Sequence, residues 1–225
     1  DFLKLHKIEI NPGFKLERLH QDKRHPDLVV IQGTKSDKNE EYQEALRLGL
    51  KIMPYAEVLK EYVIHENSIV VVGSFGKTTV SSLLVNIFKQ AKLSISYMYG
   101  GLDTDYSPNV VAKNELTQFS IVEGDEYLTS PIDLRPKFHL YQPNIALISG
   151  IAWDHINVFP TFDNYVEQFD IFVNKITNGG ILIYNQEDAN VKLVAERSEN
   201  PIRKIPYHTP SYEVSKGTTL LDTPD

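Results

Sequence analysis

A chain of 225 residues has room for one good hydrophobic core and a smaller second one. Its 41% hydrophobic and 24% charged residues exclude a disordered tail, and no apolar run approaches the ~20 residues that span a bilayer, so no membrane association is expected. The net charge of −7 argues against a nucleic-acid surface but allows a small anion held by backbone N–H groups, and the lack of cysteine excludes disulfides and thiolate chemistry, which suits a cytoplasmic protein.

The opening 27 residues are weakly periodic, with helix expected over 2–6 and 16–20. Leu28, Val29, Val30 and Ile31 read as a buried strand, and Asn39 ahead of Glu40 and Glu41 opens a helix that Gly49 stops. A short strand over 51–53 leads to Pro54 at the start of another helix, with Tyr55, Val58, Leu59, Tyr62 and Val63 on one side. The polar joint His65-Glu66-Asn67-Ser68 separates this first α/β unit, residues 1–64, from a second over 65–225.

The second unit alternates in the same way. Strands are expected over 69–72, 94–98, 118–122, 144–148 and 181–184, with helices over 78–91, 162–176 and 188–197 and a glycine- and proline-bearing loop running to Glu115. The clearest element is the helix over 162–176, whose Phe162, Tyr165, Val166, Phe169, Phe172, Val173 and Ile176 form one apolar face. Pro206, Pro210 and Pro224 punctuate a tail to which no element is assigned. The fold class is α/β with a mostly parallel sheet.

The strand over 69–72 runs directly into Gly73-Ser74-Phe75-Gly76-Lys77-Thr78-Thr79, and Val80, Leu83, Leu84, Ile87 and Phe88 then follow helical periodicity. Strand, glycine turn and helix in that order are the context a phosphate loop requires, with amide N–H groups at a helix N-terminus pointing toward an anion; a plain glycine turn beside an exposed lysine is the alternative. Lys77 is expected as an exposed cation bridging nucleotide phosphates, the Thr78 hydroxyl as a Mg²⁺ ligand, and Gly73 and Gly76 as positions of close backbone approach. Thr79 supports the turn or touches a phosphate. The common spacing would need a glycine at Val71, so this is a compact variant.

Acids cluster in Glu123-Gly124-Asp125-Glu126, just past the expected strand over 118–122, at the edge where ligands collect in open parallel sheets. Glu123 is the first candidate for the metal, with Asp125 and Glu126 completing the local field or binding a neighbouring group. His155, in Asp154-His155-Ile156-Asn157, is a candidate metal ligand or a loop histidine, and Trp153 and Phe159 are expected to cover the core edge. Arg135, Lys137 and His139 read equally as anion contacts or as a basic, solvated turn. Nothing suggests a serine nucleophile.

Together these segments resemble the Mur ligases. The loop over 73–79 looks like the family's compact phosphate loop, Glu123-Gly124-Asp125-Glu126-Tyr127 like its acidic metal segment, and Arg135-Pro136-Lys137-Phe138-His139-Leu140-Tyr141-Gln142-Pro143 like the connection that follows. Asp154-His155-Ile156-Asn157-Val158-Phe159-Pro160 looks like its histidine segment, and Asn185-Gln186-Glu187-Asp188 like the turn after a later central strand, where Asn185 meets the nucleotide. The family usually has threonine at Ser74, often histidine at Phe75 and aspartate at Asn157.

The resemblance implies an ATP- and Mg²⁺-dependent amide ligase of peptidoglycan synthesis or recycling, with Lys77, Glu123 and His155 catalytic and with Thr78, Glu123 and His155 around the metal ions. Its substrates would be UDP-N-acetylmuramate and an amino acid or murein tripeptide. Residues 1–64 would be part of a smaller α/β UDP-sugar-binding domain and 65–225 the central ATP-binding domain, with the family's first glycine-rich turn and C-terminal domain lying outside the chain. A phosphate-loop kinase or ATPase, and a noncatalytic nucleotide-binding module, are the alternatives.

Overall fold

The computed structural model describes residues 2–32, 39–101, 107–130 and 133–221. The first unit begins with a one-turn helix α1 (Phe2–Leu5) and a 3₁₀ turn (Leu16–Lys23), followed by β1 (Val29–Ile31), α2 (Glu40–Arg47), β2 (Ile52–Pro54) and α3 (Tyr55–Tyr62). β1 and β2 pair in parallel as a sheet of their own. Asn39 caps α2 by accepting the Tyr42 N–H at 3.1 Å, and Gly49 turns the chain away at φ +65°. Pro54 closes β2 and sits just ahead of α3 rather than inside it.

The second unit holds β3 (Ser68–Val72), α4 (Lys77–Gln90), β4 (Ile95–Met98), β5 (Val110–Val111), β6 (Phe119–Glu123), β7 (Ile145–Ile148), α5 (Phe162–Val173), β8 (Ile181–Asn185), α6 (Ala189–Arg197) and β9 (Arg203–Tyr207). The seven strands form one sheet in the order β5-β4-β6-β3-β7-β8-β9, parallel except where β5 meets β4. β3 is buried along its whole length, so its sequence is a continuous apolar run with no solvent face.

Alternate residues of β3 serve two cores. Val70 and Val72 join the larger one, built on Phe138, Phe169, Phe172 and Leu182, while Ile69 joins Val85, Tyr97 and Ile121 beneath α4. Ala56, Leu59 and Val63, in and just after α3, belong to the larger core, so the first unit packs directly on the central sheet. α5 presents the expected face, with Tyr165, Phe169, Phe172 and Val173 at 0% exposure, and each such side chain contributes about 1.5–3 kcal/mol by leaving water.

α5 ends at Val173 rather than continuing to Ile176, because the Asn200 side chain takes the Val173 and Ile176 carbonyls at 2.8 and 2.9 Å. The tail is also more ordered than its prolines suggest. Pro206 lies within β9 at the sheet edge, where a missing N–H is tolerated. β10 (Tyr212–Ser215) and β11 (Thr218–Leu221) form a hairpin whose turn residues Lys216 and Gly217 both have positive φ. Pro224 and part of the loop after Met98 lie outside the described residues.

Candidate active site

Because β3, β6, β7 and β8 run parallel, the segments after them emerge on one edge of the sheet: residues 73–76, 123–127, 149–155 and 185–188. β3 lies between β6 and β7, so the glycine loop over 73–76 stands between the acidic segment and the segment bearing His155.

The loop's two glycines meet different demands. Gly76 precedes α4 in the left-handed region at φ +75°, and Gly73 has φ +129° with Ser149 Oγ only 2.4 Å from where a Cβ would stand. The first turn of α4 leaves amide N–H groups without intrahelical acceptors, as every helix N-terminus does. Beside them is a hollow of about 230 Å³ lined by Ser74, Phe75, Gly76, Lys77, Thr78, Thr79 and Glu123.

Thr78 Oγ1 lies 3.2 and 3.0 Å from the two Glu123 carboxylate oxygens, and the Gly100 N–H donates to Glu123 Oε2 at 2.7 Å. A hydroxyl and a carboxylate so placed are the hard oxygen donors that Mg²⁺ prefers. Lys77 is not the exposed cation expected from the sequence: its side chain is only 16% exposed, and Nζ donates to Gly73 O at 2.6 Å and to Glu126 Oε1 at 3.0 Å. Glu126 Oε2 is also 3.0 Å from Nζ but makes no hydrogen bond in this arrangement. Burial raises the Glu126 carboxyl above its ordinary range, against the pull of Lys77.

His155 converges on the same carboxylate, with Nε2 at 3.7 Å from Glu126 Oε1 and 3.8 Å from Asp154 Oδ2. Its backbone is left-handed at φ 52°, and its ring meets Tyr127 edge-on. Glu126, Asp154 and His155 offer three ligand atoms within 4.8 Å of one another. Asn157 Nδ2 donates to the Tyr127 hydroxyl at 3.2 Å.

Ser74 faces the neighbouring segment with both of its polar groups. Its N–H donates to Gly150 O, and its Oγ lies 2.7 Å from Ala152 O, 2.9 Å from the Ala152 N–H that donates to it, and 2.9 Å from the Tyr165 hydroxyl. The Tyr165 hydroxyl continues to Glu126 Oε1 at 3.4 Å, so the glycine loop, α5 and the acidic segment share one polar network. Asn185 likewise stands behind the loop, donating to Ser149 O at 3.1 Å and accepting the Glu187 N–H at 3.0 Å. Phe75 is exposed, with its ring across Gly150.

The basic turn is corrected by the structure. Arg135 is exposed and paired with Asp133, but Lys137 and His139 are 6% and 5% exposed and belong to a buried 3₁₀ turn (Lys137–Leu140). Lys137 Nζ donates to Asp125 Oδ2 at 2.5 Å. Burial works against the Asp125 carboxylate, yet Lys137, the Tyr127 N–H and Lys77 together hold it below its ordinary range. Phe159 covers the core edge at 3% exposure, whereas Trp153 remains 44% exposed.

Sequence reasoning left Glu126 in a secondary part and assigned Tyr165 wholly to the core. The available signal for Glu126 was the acidic run itself; for Tyr165 there was none, since a tyrosine on an apolar helix face is indistinguishable from packing until its hydroxyl finds a partner.

A mostly parallel sheet with a glycine loop at its switch point, a lysine at the helix N-terminus and a hydroxyl–carboxylate pair beside it defines an α/β protein with an anion-facing carboxyl edge. The family model for the Mur ligase middle domain matches residues 71–214, and the chain belongs to the Mur ligase family. It is 32% identical over 135 residues to the UDP-N-acetylmuramate–L-alanine ligase of Porphyromonas gingivalis, covering 60% of this chain and 28% of that protein. Over 192 residues it is 25% identical to the Haemophilus influenzae UDP-N-acetylmuramate–L-alanyl-gamma-D-glutamyl-meso-2,6-diaminoheptandioate ligase, covering 85% of this chain and 41% of that one. The fold matches the corresponding diaminopimelate ligase structure from Neisseria meningitides with a TM-score of 0.80 at 23% identity, over 98% of this chain and 72% of that chain. The chain thus spans less than half the length of these two curated relatives. Among the described residues no helix is long and apolar enough to cross a membrane.

Proposed function

We propose that this chain is the ATP-binding core of a cytoplasmic ligase that joins UDP-N-acetylmuramate to murein tripeptide, with the alanine-adding reaction as the close alternative. The observation that carries it is the convergence of Lys77, Thr78 and Glu123 on one side of a glycine loop at the carboxyl edge of a parallel sheet. Residues 1–64 form part of the sugar-binding unit in this reading, and 65–225 the central one.

Gly73, Gly76 and the first amides of α4 cradle the polyphosphate, Lys77 moves from Glu126 to the phosphates, and Thr79 supports the turn. Thr78 and Glu123 would hold Mg²⁺, and His155 with Glu126 would offer a second position; a bound metal would neutralise charge on the transferring phosphoryl group. Ser74 and Asn185 contribute by fixing the loop's back. A substrate carboxylate oxygen attacks the γ-phosphorus as the bond to ADP breaks. The amine nitrogen then attacks the acyl carbon, phosphate leaves, and the nitrogen gives up a proton to form the amide.

A mass-spectrometric assay of the natural full-length protein, offering alanine and tripeptide in competition, tests this reading. Tripeptide product is expected. ADP release without any amide would replace the reading with an ATPase, and Mg-ATP binding without turnover would leave a noncatalytic module.

A further inference from the structure

Next to the phosphate hollow, and sharing Lys77 and Glu123 with it, lies a cavity of about 300 Å³ between the first unit and the central sheet. Lys137 lines it. Its ammonium is almost wholly out of bulk water, a cost that only counter-charge and hydrogen bonds offset. It carries three donors, yet among the described residues it donates only to Asp125 Oδ2. Asp125 is held in place from its other oxygen, where Oδ1 accepts the Tyr127 N–H at 2.9 Å. Two Lys137 donors therefore remain for whatever fills the cavity.

The cavity's other walls describe the occupant. Leu59 and Met98, with the rings of Tyr55 and Tyr141, form an apolar flank, while Lys77 and Glu123 mark the end that faces the phosphate hollow. Lys77 is already paired with the buried Glu126, so Lys137 is the cation at this cavity with donors left, and an organic acid whose charged end meets Lys137 fits these walls.

The geometry points to Lys137 as the specificity-determining anchor for the carboxylate of an organic acid, bound with its body against Tyr55 and Leu59 and its charged end toward the phosphate loop. This deepens the ligase reading and rests on it: the anchored carboxylate is the acceptor of the phosphoryl group. Asp125 keeps Lys137 charged and oriented when the cavity is empty and competes with the ligand for it.

Calorimetry on the natural full-length protein tests the anchor, with UDP-N-acetylmuramate as the acid and UDP-N-acetylglucosamine as the partner lacking the lactyl carboxylate. The parent should favour the acid by roughly tenfold to a hundredfold, the range of a charge-assisted hydrogen bond. K137M should erase the preference while leaving affinity for a Mg-ATP analogue unchanged, K137R should restore part of it, and D125N should raise affinity for the acid alone. A pair that merely ties the turn to the acidic segment would instead lower thermal stability and weaken both sugars equally, which overturns the proposal. So does a K137M variant that keeps the parent's preference, or a parent that binds the ATP analogue but does not distinguish the sugars. A parent that binds no ATP analogue defeats the ligase reading itself, and the anchor with it.

Discussion

Lys77 and Glu126 stand 49 residues apart in the chain, yet Nζ of one hydrogen-bonds Oε1 of the other at 3.0 Å. Glu126 is 1% exposed, so this ammonium is its main compensation for burial, and His155 at 3.7 Å is the only other basic side chain paired with it among the described residues. The lysine that opens α4 is thus also the counter-ion of a buried acid.

Lys77→Met is therefore expected to abolish useful nucleotide affinity and also to destabilise the fold, by about 1–3 kcal/mol, because it strands a buried carboxylate. Adding Glu126→Gln should recover most of the stability but none of the binding. Urea unfolding of both single variants and the double variant, beside calorimetry with ATP, measures the two effects separately. Strict additivity of the stability changes would show that the pair is not coupled.

Glu123→Gln should weaken Mg-ATP affinity by about 10–100-fold while leaving metal-free ADP nearly unaffected. The amide side chain can still accept the Gly100 N–H, which in the parent donates to Glu123 Oε2, so the loss is charge at the metal rather than backbone position. Parallel titrations with and without magnesium decide the matter; an equal loss in both would remove Glu123 from the metal site.

The central strands were legible because burial on both faces leaves a continuous apolar run, as in Ile69-Val70-Val71-Val72, and the glycine loop that follows has few other uses. What escaped was long-range. Nothing in Asp133-Leu134-Arg135-Pro136-Lys137 tells a solvated basic turn from a buried one, because the distinction depends on Asp125 and on α3 packing over the turn. β9 and the final hairpin were hidden by prolines that are tolerated at a sheet edge and by exposed hairpin strands with no buried face to pattern.

Two glycines flanking the site should respond very differently to alanine. A Cβ at Gly124 would stand 2.6 Å from Val72 Cγ1 and 3.2 Å from Phe138 Cβ, atoms of the core that cannot withdraw, so Gly124→Ala is expected to cost about 1–3 kcal/mol. At Gly150 the obstacle is the Phe75 ring, 2.2 Å away at Cζ, but that side chain is 55% exposed and free to swing outward. Gly150→Ala should leave stability within about 0.5 kcal/mol of the parent and act on the phosphate hollow instead, visible as altered ATP affinity. Equal melting losses in the two variants would contradict this division.

His139 supplies the pH dependence. It is 5% exposed against the Phe138 ring, and burial lowers its pKa below the ordinary imidazole value; the hydrogen bond from Nε2 to Gln168 O opposes that shift, Lys175 and Arg135 add to it, and Asp133 resists it. A folded-state value below the unfolded one means that the unfolded chain binds the extra proton first. Stability from this residue is therefore full above about pH 6.5 and declines as the pH falls through that value toward the lower folded-state pKa. Glu126, whose carboxyl is raised, works in the opposite direction, since its burial is relieved on protonation. His139→Gln retains a donor for the Gln168 carbonyl without a titrating ring. Its unfolding free energy between pH 7.5 and 5 should consequently fall less steeply than that of the parent, and two parallel curves would show that another group governs the acid limb.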